Sequence, residues 1–229
     1  MNQAGNIFIF IGPPGAGKGS VASFCIKRFG WLQVSTGNLC RKHIAEQTKI
    51  GKEIDLIIKS GKLINDDLIT SMVSDWLCEN AQKTTGIIFD GYPRTVVQAQ
   101  DFSTMLKAVF PDVHVRVVSF LISDDVVIGR LCHRFVCQNK ECQAVYAIST
   151  APSDCVIHPT VVCSECGSPL GRRADDEENS VKKRLAVYHK HEQELINFYR
   201  NSGVEFIELD VEKPLEDVFK CFLHSIDEQ

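Results

Sequence analysis

The chain has 229 residues, 44% of them apolar, and a formal net charge of −4. That length suits one mid-sized domain with room for inserted lobes, and the mild acidity argues against broad non-specific nucleic-acid binding. Its apolar runs are too short to span a bilayer, and the run at 7–11 is too short for a signal-peptide core and lacks a basic flank. A cytoplasmic protein, monomeric and free of membrane and nucleic acid, is expected. The ten cysteines then read as thiols or metal ligands more readily than as disulfides.

Residues 6–11 form a continuous apolar run, the pattern of a buried parallel strand. A Gly/Pro-rich loop follows, and then a helix over 20–29. Further strands are predicted at 86–90, 113–122 and 204–209, with helices at 52–59, 66–79, 96–109 and 180–201. This alternation predicts an α/β protein built on a doubly wound parallel sheet. Two stretches do not fit the sheet plan. Residues 35–64 have helical periodicity but no strand, and 135–171 are rich in Cys, Ser and Pro with short β-like runs. Both read as lobes hung on the core. The division is core at 1–34, 65–133 and 177–229, one lobe at 35–64 and a second at 134–176. The acidic run at 175–178 reads on its own as a solvated helix start.

The loop Gly12-Pro13-Pro14-Gly15-Ala16-Gly17-Lys18-Gly19-Ser20 is the strongest motif and marks a P-loop NTPase-type sheet. Glycines let successive backbone N–H groups converge on phosphate oxygens. The helix that follows adds the positive end of its dipole. Lys18 can neutralise the outer phosphates, and Ser20 can hold Mg²⁺. The strict pattern wants Ser or Thr directly after the lysine; here Gly19 intervenes.

With that insertion the loop resembles that of nucleoside monophosphate kinases. Four more matches follow in order: Ser35-Thr36-Gly37 then Arg41; Asp90-Gly91-Tyr92-Pro93-Arg94-Thr95 then Gln98; Arg130 and Arg134; and Arg173-Ala174-Asp175-Asp176 then Arg184. Together they resemble the adenylate kinase family, of the type with a long, cysteine-bearing lid. The resemblance covers nearly the whole chain. It implies ATP as donor, AMP as acceptor, ADP as product, an NMP-binding lobe at 35–64 and a lid at 134–176.

It also implies roles. Arg41 and Arg94 are expected on the AMP phosphate, Arg130 and Arg173 on the ATP phosphates, and Arg134 and Arg184 around the transferred group. By ligand, Arg130, Arg134 and Lys213 fall on the ATP side, and Arg173 and Arg184 reach the AMP side as well. Arginine suits these positions because its planar fork binds phosphate oxygens in pairs. Asp90, at the end of a predicted strand, can order waters around Mg²⁺. The family's usual second aspartate is Asn38 here, which puts the second water-ordering group in question. The Gln98 amide can pair with an adenine edge, and Thr36 resembles the residue that accompanies AMP specificity. The carbonyls of Ile64 and Gly91 also belong to the AMP site, and the turn at Lys213-Pro214 to the donor base. Glu192 and Glu194 replace the usual Thr and Pro, which predicts an altered hinge or surface. Rival readings are a kinase for UMP, CMP or GMP, and a nucleotide-regulated module whose cysteine lobe binds nucleic acid.

Cys137-x₄-Cys142 and Cys163-x₂-Cys166 form two paired knuckles. Four thiolates at such spacing can enclose Zn²⁺ tetrahedrally as a structural site, and iron is the alternative metal. A small lobe buries little core, so a metal would substitute for one. Cys155 is a possible replacement ligand, because the first knuckle is longer than usual.

Overall fold

The computed structural model describes residues 5–59, 64–139, 142, 144–147 and 162–227. Five parallel strands form the main sheet: β1 (Asn6–Ile11), β2 (Leu32–Ser35), β3 (Gly86–Asp90), β4 (His114–Leu121) and β8 (Glu205–Asp210), in the order β2-β3-β1-β4-β8. The chain leaves β1 toward one edge, returns to pair β3 with β1, and crosses to β4 on the other side. The strand order therefore reverses at β1, and ligands of open α/β sheets bind at the carboxyl ends beside such a reversal.

The apolar run of β1 is continuous because both of its faces are covered. Ile7, Ile9 and Ile11 join Ile87, Phe89 and Val117 on one face. There they pack under α4 (Asp66–Asn80), α5 (Val96–Val109) and α7 (Glu178–Asn201). Phe8 and Phe10 join Ile88, Val118 and Phe120 on the other face, against α1 (Lys18–Phe29) and α8 (Leu215–Asp227). Each of these side chains is almost fully buried, and burial of that kind contributes about 1.5–3 kcal/mol apiece. The remaining helices are α2 (Thr36–Ala45), α3 (Lys49–Lys59) and α6 (Asp124–Cys132). A separate antiparallel sheet, ordered β6-β5-β7, comprises β5 (Arg134–Cys137), β6 (Val145–Ala147) and β7 (Leu170–Gly171).

Strands β1 and β3 and helix α5 have the bounds expected from sequence, and the other expected elements agree within three residues at each end. Among the described residues, α2 falls in the stretch where helical periodicity was expected without bounds, and β2, α6 and α8 are additional. Strand β2 has four residues, too few to show a period, and is fixed by its register on β3. Helix α6 is short, and it packs Val127 and Leu131 on Val181 and Leu185 of α7. Helix α8 carries Val218, Phe222 and Ile226 at helical spacing, and Val218 and Phe222 are buried against the main sheet. The acidic run is corrected in part: Glu177 and Glu178 are exposed at the start of α7 as expected, but Asp176 is 1% exposed and sits in a 3-10 turn at Ala174–Asp176. Among the described residues no helix is long and apolar enough to cross a membrane.

The replaced Thr/Pro segment lies on α7 and forms a surface network. Glu192 accepts from Tyr188 Oη at 2.9 Å and meets His189 Nδ1 at 2.8 Å. His189 Nε2 lies 2.9 Å from Asp124 Oδ1 at the start of α6. The hydrogen bond to Glu192, joined by Asp124 and opposed by partial burial, raises the imidazole pKa above its ordinary value. Such a group stabilises the fold fully below the unfolded histidine pKa of about 6.5, and the contribution fades as pH rises through the folded value. His189→Gln should therefore lower Tm near pH 6 and change it little near pH 9. Equal Tm differences in thermal unfolding at the two pH values would refute the linkage.

Candidate active site

The loop after β1 turns on two glycines with left-handed backbone, Gly15 at φ 85° and Gly17 at φ 90°. Gly17 is the N-cap of α1, which has no side-chain cap and no acidic residue in its first turn. The first N–H groups of the helix are left to the loop, the arrangement that receives phosphate. Ser20 stands in that first turn, its N–H donating to Gly17 O at 2.9 Å. Lys18 is 9% exposed. Its Nζ donates to the carbonyls of Gly12 and Pro13, both at 2.8 Å, and lies 4.0 Å from Asp90 Oδ1. Burial brings its pKa down to about 8, helped by Arg94, Arg184 and Arg134 and opposed by Asp90. Asp90 ends β3 and accepts from Gln33 Nε2 at 3.3 Å.

Three of the arginines expected at the site also have depressed pKa values, each mainly through burial. Arg94 then feels Arg184, against the pull of Asp90. Arg41 feels Arg134 and Arg184, and Arg173 feels Arg134 and Arg41. Lys18, Arg41, Arg94, Arg134, Arg173 and Arg184 thus form one mutually repelling group. They come from six places in the chain: the phosphate loop, α2, the loop after β3, the start of β5, the segment after β7, and α7.

Acidic groups hold part of the cluster in position. Asp176 accepts two bonds from Arg134, at 2.8 Å from Nε and 2.6 Å from Nη2. It also lies 3.3 Å from Arg184 Nη1, which pairs with Asp175 Oδ2 at 3.0 Å. Asp176 joins two of the expected arginines, a partnership that the motif alone does not disclose. Its sequence signal is its place in the motif Arg173-Ala174-Asp175-Asp176.

On the acceptor side, Thr36 Oγ1 donates to Gly91 O at 3.0 Å. Arg94 Nε donates to the same carbonyl at 2.8 Å. Arg41 bonds the side-chain carbonyl of Asn38. Gln98 is buried. Its Oε1 accepts from Arg94 N at 2.7 Å, and its Nε2 donates to Asp66 Oδ1 at 2.7 Å. Ile64 is half-buried and lies two residues before Asp66, the first residue of α4.

Two candidates have other partners. Arg130 Nη2 donates to Val211 O at 2.7 Å. Lys213 pairs with Asp210 at 3.5 Å.

The sulfurs of Cys137, Cys142, Cys163 and Cys166 all lie within 4.8 Å of one another. Cys137 Sγ is 3.4 Å from Cys166 Sγ, and Cys142 Sγ is 3.6 Å from Cys163 Sγ. A tetrahedron with metal–sulfur bonds near 2.3 Å has sulfurs about 3.8 Å apart, so this donor set fits one metal ion. Tyr146 Oη lies 3.2 Å from Cys163 Sγ and accepts from Ser164 N at 3.0 Å, which orients the second knuckle. The longer first knuckle closes through Cys142 N donating to Asn139 O at 3.2 Å. Cys155 lies outside the described residues.

Comparison with known proteins gives the same picture. The family model described as "Adenylate kinase" matches residues 10–204. A protein of Fervidobacterium nodosum named adenylate kinase is 36% identical over 218 residues, covering 95% of this chain and 96% of its own. Adenylate kinases of Archaeoglobus fulgidus and Methanosarcina acetivorans are 34% and 36% identical, covering 93% and 94% of this chain and 94% and 95% of their own. A match of this extent, on a chain whose sheet reversal, phosphate loop and grouped cations occupy one edge, leaves one conclusion: the chain belongs to the adenylate kinase family.

Proposed function

We propose that the chain catalyses the reversible transfer of the terminal phosphoryl group of Mg·ATP to AMP, giving two ADP. The observation that carries this reading is the gathering of six cations around the phosphate loop and the Arg94 loop. Such a reaction must bring two polyanions together. Its transition state is loose, with charge spread over the moving phosphoryl oxygens, so positioning and charge neutralisation do most of the catalysis.

In this reading Gly12–Ser20 cradles the donor phosphates, and Lys18 neutralises the outer ones. Arg41 and Arg94 grip the AMP phosphate, Arg173 reaches between the two substrates, and Arg134 and Arg184 surround the moving group. Arg130 joins on the ATP side after leaving the Val211 carbonyl. Gln98 and Thr36, with the carbonyls of Ile64 and Gly91, select AMP, and the turn at Lys213 borders the donor base. Magnesium bound with ATP supplies charge neutralisation, with Ser20 and water-linked Asp90 as its protein partners. Residues 35–64 act as the NMP-binding lobe and 134–176 as the lid, and their closure excludes water that would otherwise take the phosphoryl group.

In a panel of monophosphates with ATP, ADP formation should be strongest with AMP. Equal or better turnover of UMP or CMP would overturn the acceptor assignment.

The cations should fail differently when removed. Arg94→Ala should mainly raise the KM for AMP, whereas Arg134→Ala should lower kcat by about 10³-fold, as loss of an arginine finger does. Lys18→Met should fold and lose most turnover. Near-normal kinetics in any one of these variants would refute the role given to that residue.

Zinc bound by Cys137, Cys142, Cys163 and Cys166 would supply a structural clamp and no chemistry. Structural zinc in small modules carries apparent binding free energies of about 10–16 kcal/mol, and among its described residues this lobe has few other buried groups. Metal analysis of untagged protein should find one zinc per chain. The Cys163→Ser/Cys166→Ser variant should lose the metal, unfold the lobe in a separate lower-temperature transition, and still bind an ATP analogue. Fully active protein with far less than one zinc per chain would refute the assignment.

A further inference from the structure

The amide of Gln98 is held at both ends by groups of fixed hydrogen-bonding sense. Arg94 N can only donate, and it donates to Oε1 at 2.7 Å. The Asp66 carboxylate accepts from Nε2 at 2.7 Å. Asp66 Oδ2 also accepts from Thr95 Oγ1 at 3.0 Å. That hydroxyl in turn accepts from Gln98 N at 3.2 Å, as the N-cap of α5. The amide therefore has one orientation. Turning it over would set Oε1 against a carboxylate and an N–H against an N–H, leaving buried polar groups unpaired.

We infer that Asp66 is a specificity-determining positioning residue: by pinning Gln98 it fixes the order in which the amide offers its free donor and acceptor to the acceptor base. The inference rests on the reading above in which Gln98 faces that base. After Asp66 and Arg94 N are satisfied, Gln98 retains one N–H and one lone pair. Adenine presents a neighbouring acceptor and amino donor, which a glutamine amide matches in two bonds. Hypoxanthine and guanine carry a carbonyl in place of that amino group, and on their Watson–Crick edge a donor replaces the acceptor. An amide free to turn over could serve either order, whereas a pinned one serves adenine alone. Asp66 does not touch the base in this scheme and acts through Gln98. It is the first residue of α4, and it ties that helix to the start of α5.

The test compares Asp66→Ala, Asp66→Asn and Gln98→Leu, using steady-state kinetics with AMP and with inosine monophosphate, and thermal unfolding of each variant. Asparagine keeps a carbonyl that can accept from Nε2, and its amide can donate to Thr95. Asp66→Asn should therefore retain most of the selectivity. Asp66→Ala should raise the KM for AMP with a smaller change in kcat, and lower the ratio of kcat/KM for AMP over inosine monophosphate by about tenfold, the size of one bidentate base contact. An unchanged ratio in Asp66→Ala would overturn the inference, as would equal losses in Asp66→Ala and Asp66→Asn. A fall in Tm with no change in the ratio would assign Asp66 a structural role only and overturn it too. Gln98→Leu separates the two levels. If it leaves the ratio unchanged, the base-reading role of Gln98 fails and this inference with it; if it collapses the ratio while Asp66→Ala does not, only the inference fails.

Discussion

Like charges gathered at one edge of a sheet repel one another, and the fold must hold them together before any phosphate arrives. The depressed pKa values of Lys18, Arg41, Arg94 and Arg173 record that burden, with burial as the larger part and neighbouring cations adding to it. Asp90, Asp175 and Asp176 offset part of it. Asp176 carries the most, being buried and bonded to two arginines. Breaking a buried pair by removing one partner typically costs about 3–5 kcal/mol. The acids therefore work as stand-ins for the substrate's negative charge, and they keep the arginines ordered where polyanions will bind.

The main sheet was legible because its signals are local. Strand β1 is apolar on both faces, the glycine loop follows directly, and α5 begins at a Thr cap that a motif already marks. Edge position alone did not hide an element, since β8 at the far edge was expected within one residue at each end, but the short strand β2 was not legible. Strand β2 has no period of its own, and its position follows from pairing with β3, more than fifty residues away in sequence.

The site was legible as residue types but not as partnerships. Motif order points to Arg134, Arg184 and Gln98 individually. That Asp176 joins the first two, and that Asp66 fixes the third, follows from contacts spanning 42, 8 and 32 positions. A carboxylate within an acidic run could equally face water, and only the folded chain shows Asp176 enclosed. The cysteines were easier, since knuckle spacing constrains geometry directly. Even the irregular first pair brings its sulfurs into the common cluster.

Strand β5 is four residues long, begins at Arg134 and ends at Cys137. At about 3.3 Å per residue the two side chains stand roughly 10 Å apart along one stiff rod. The sulfur cluster and the guanidinium bonded to Asp176 therefore share a lever. A shift of the cysteine end is transmitted along the strand as a shift of the arginine, with little slack between them. Reactions of this kind lose about 10²-fold in rate for a misplacement near 1 Å. A change in how those four sulfurs pack, though remote from the nucleotides, would be felt as lost accuracy in aiming one charge.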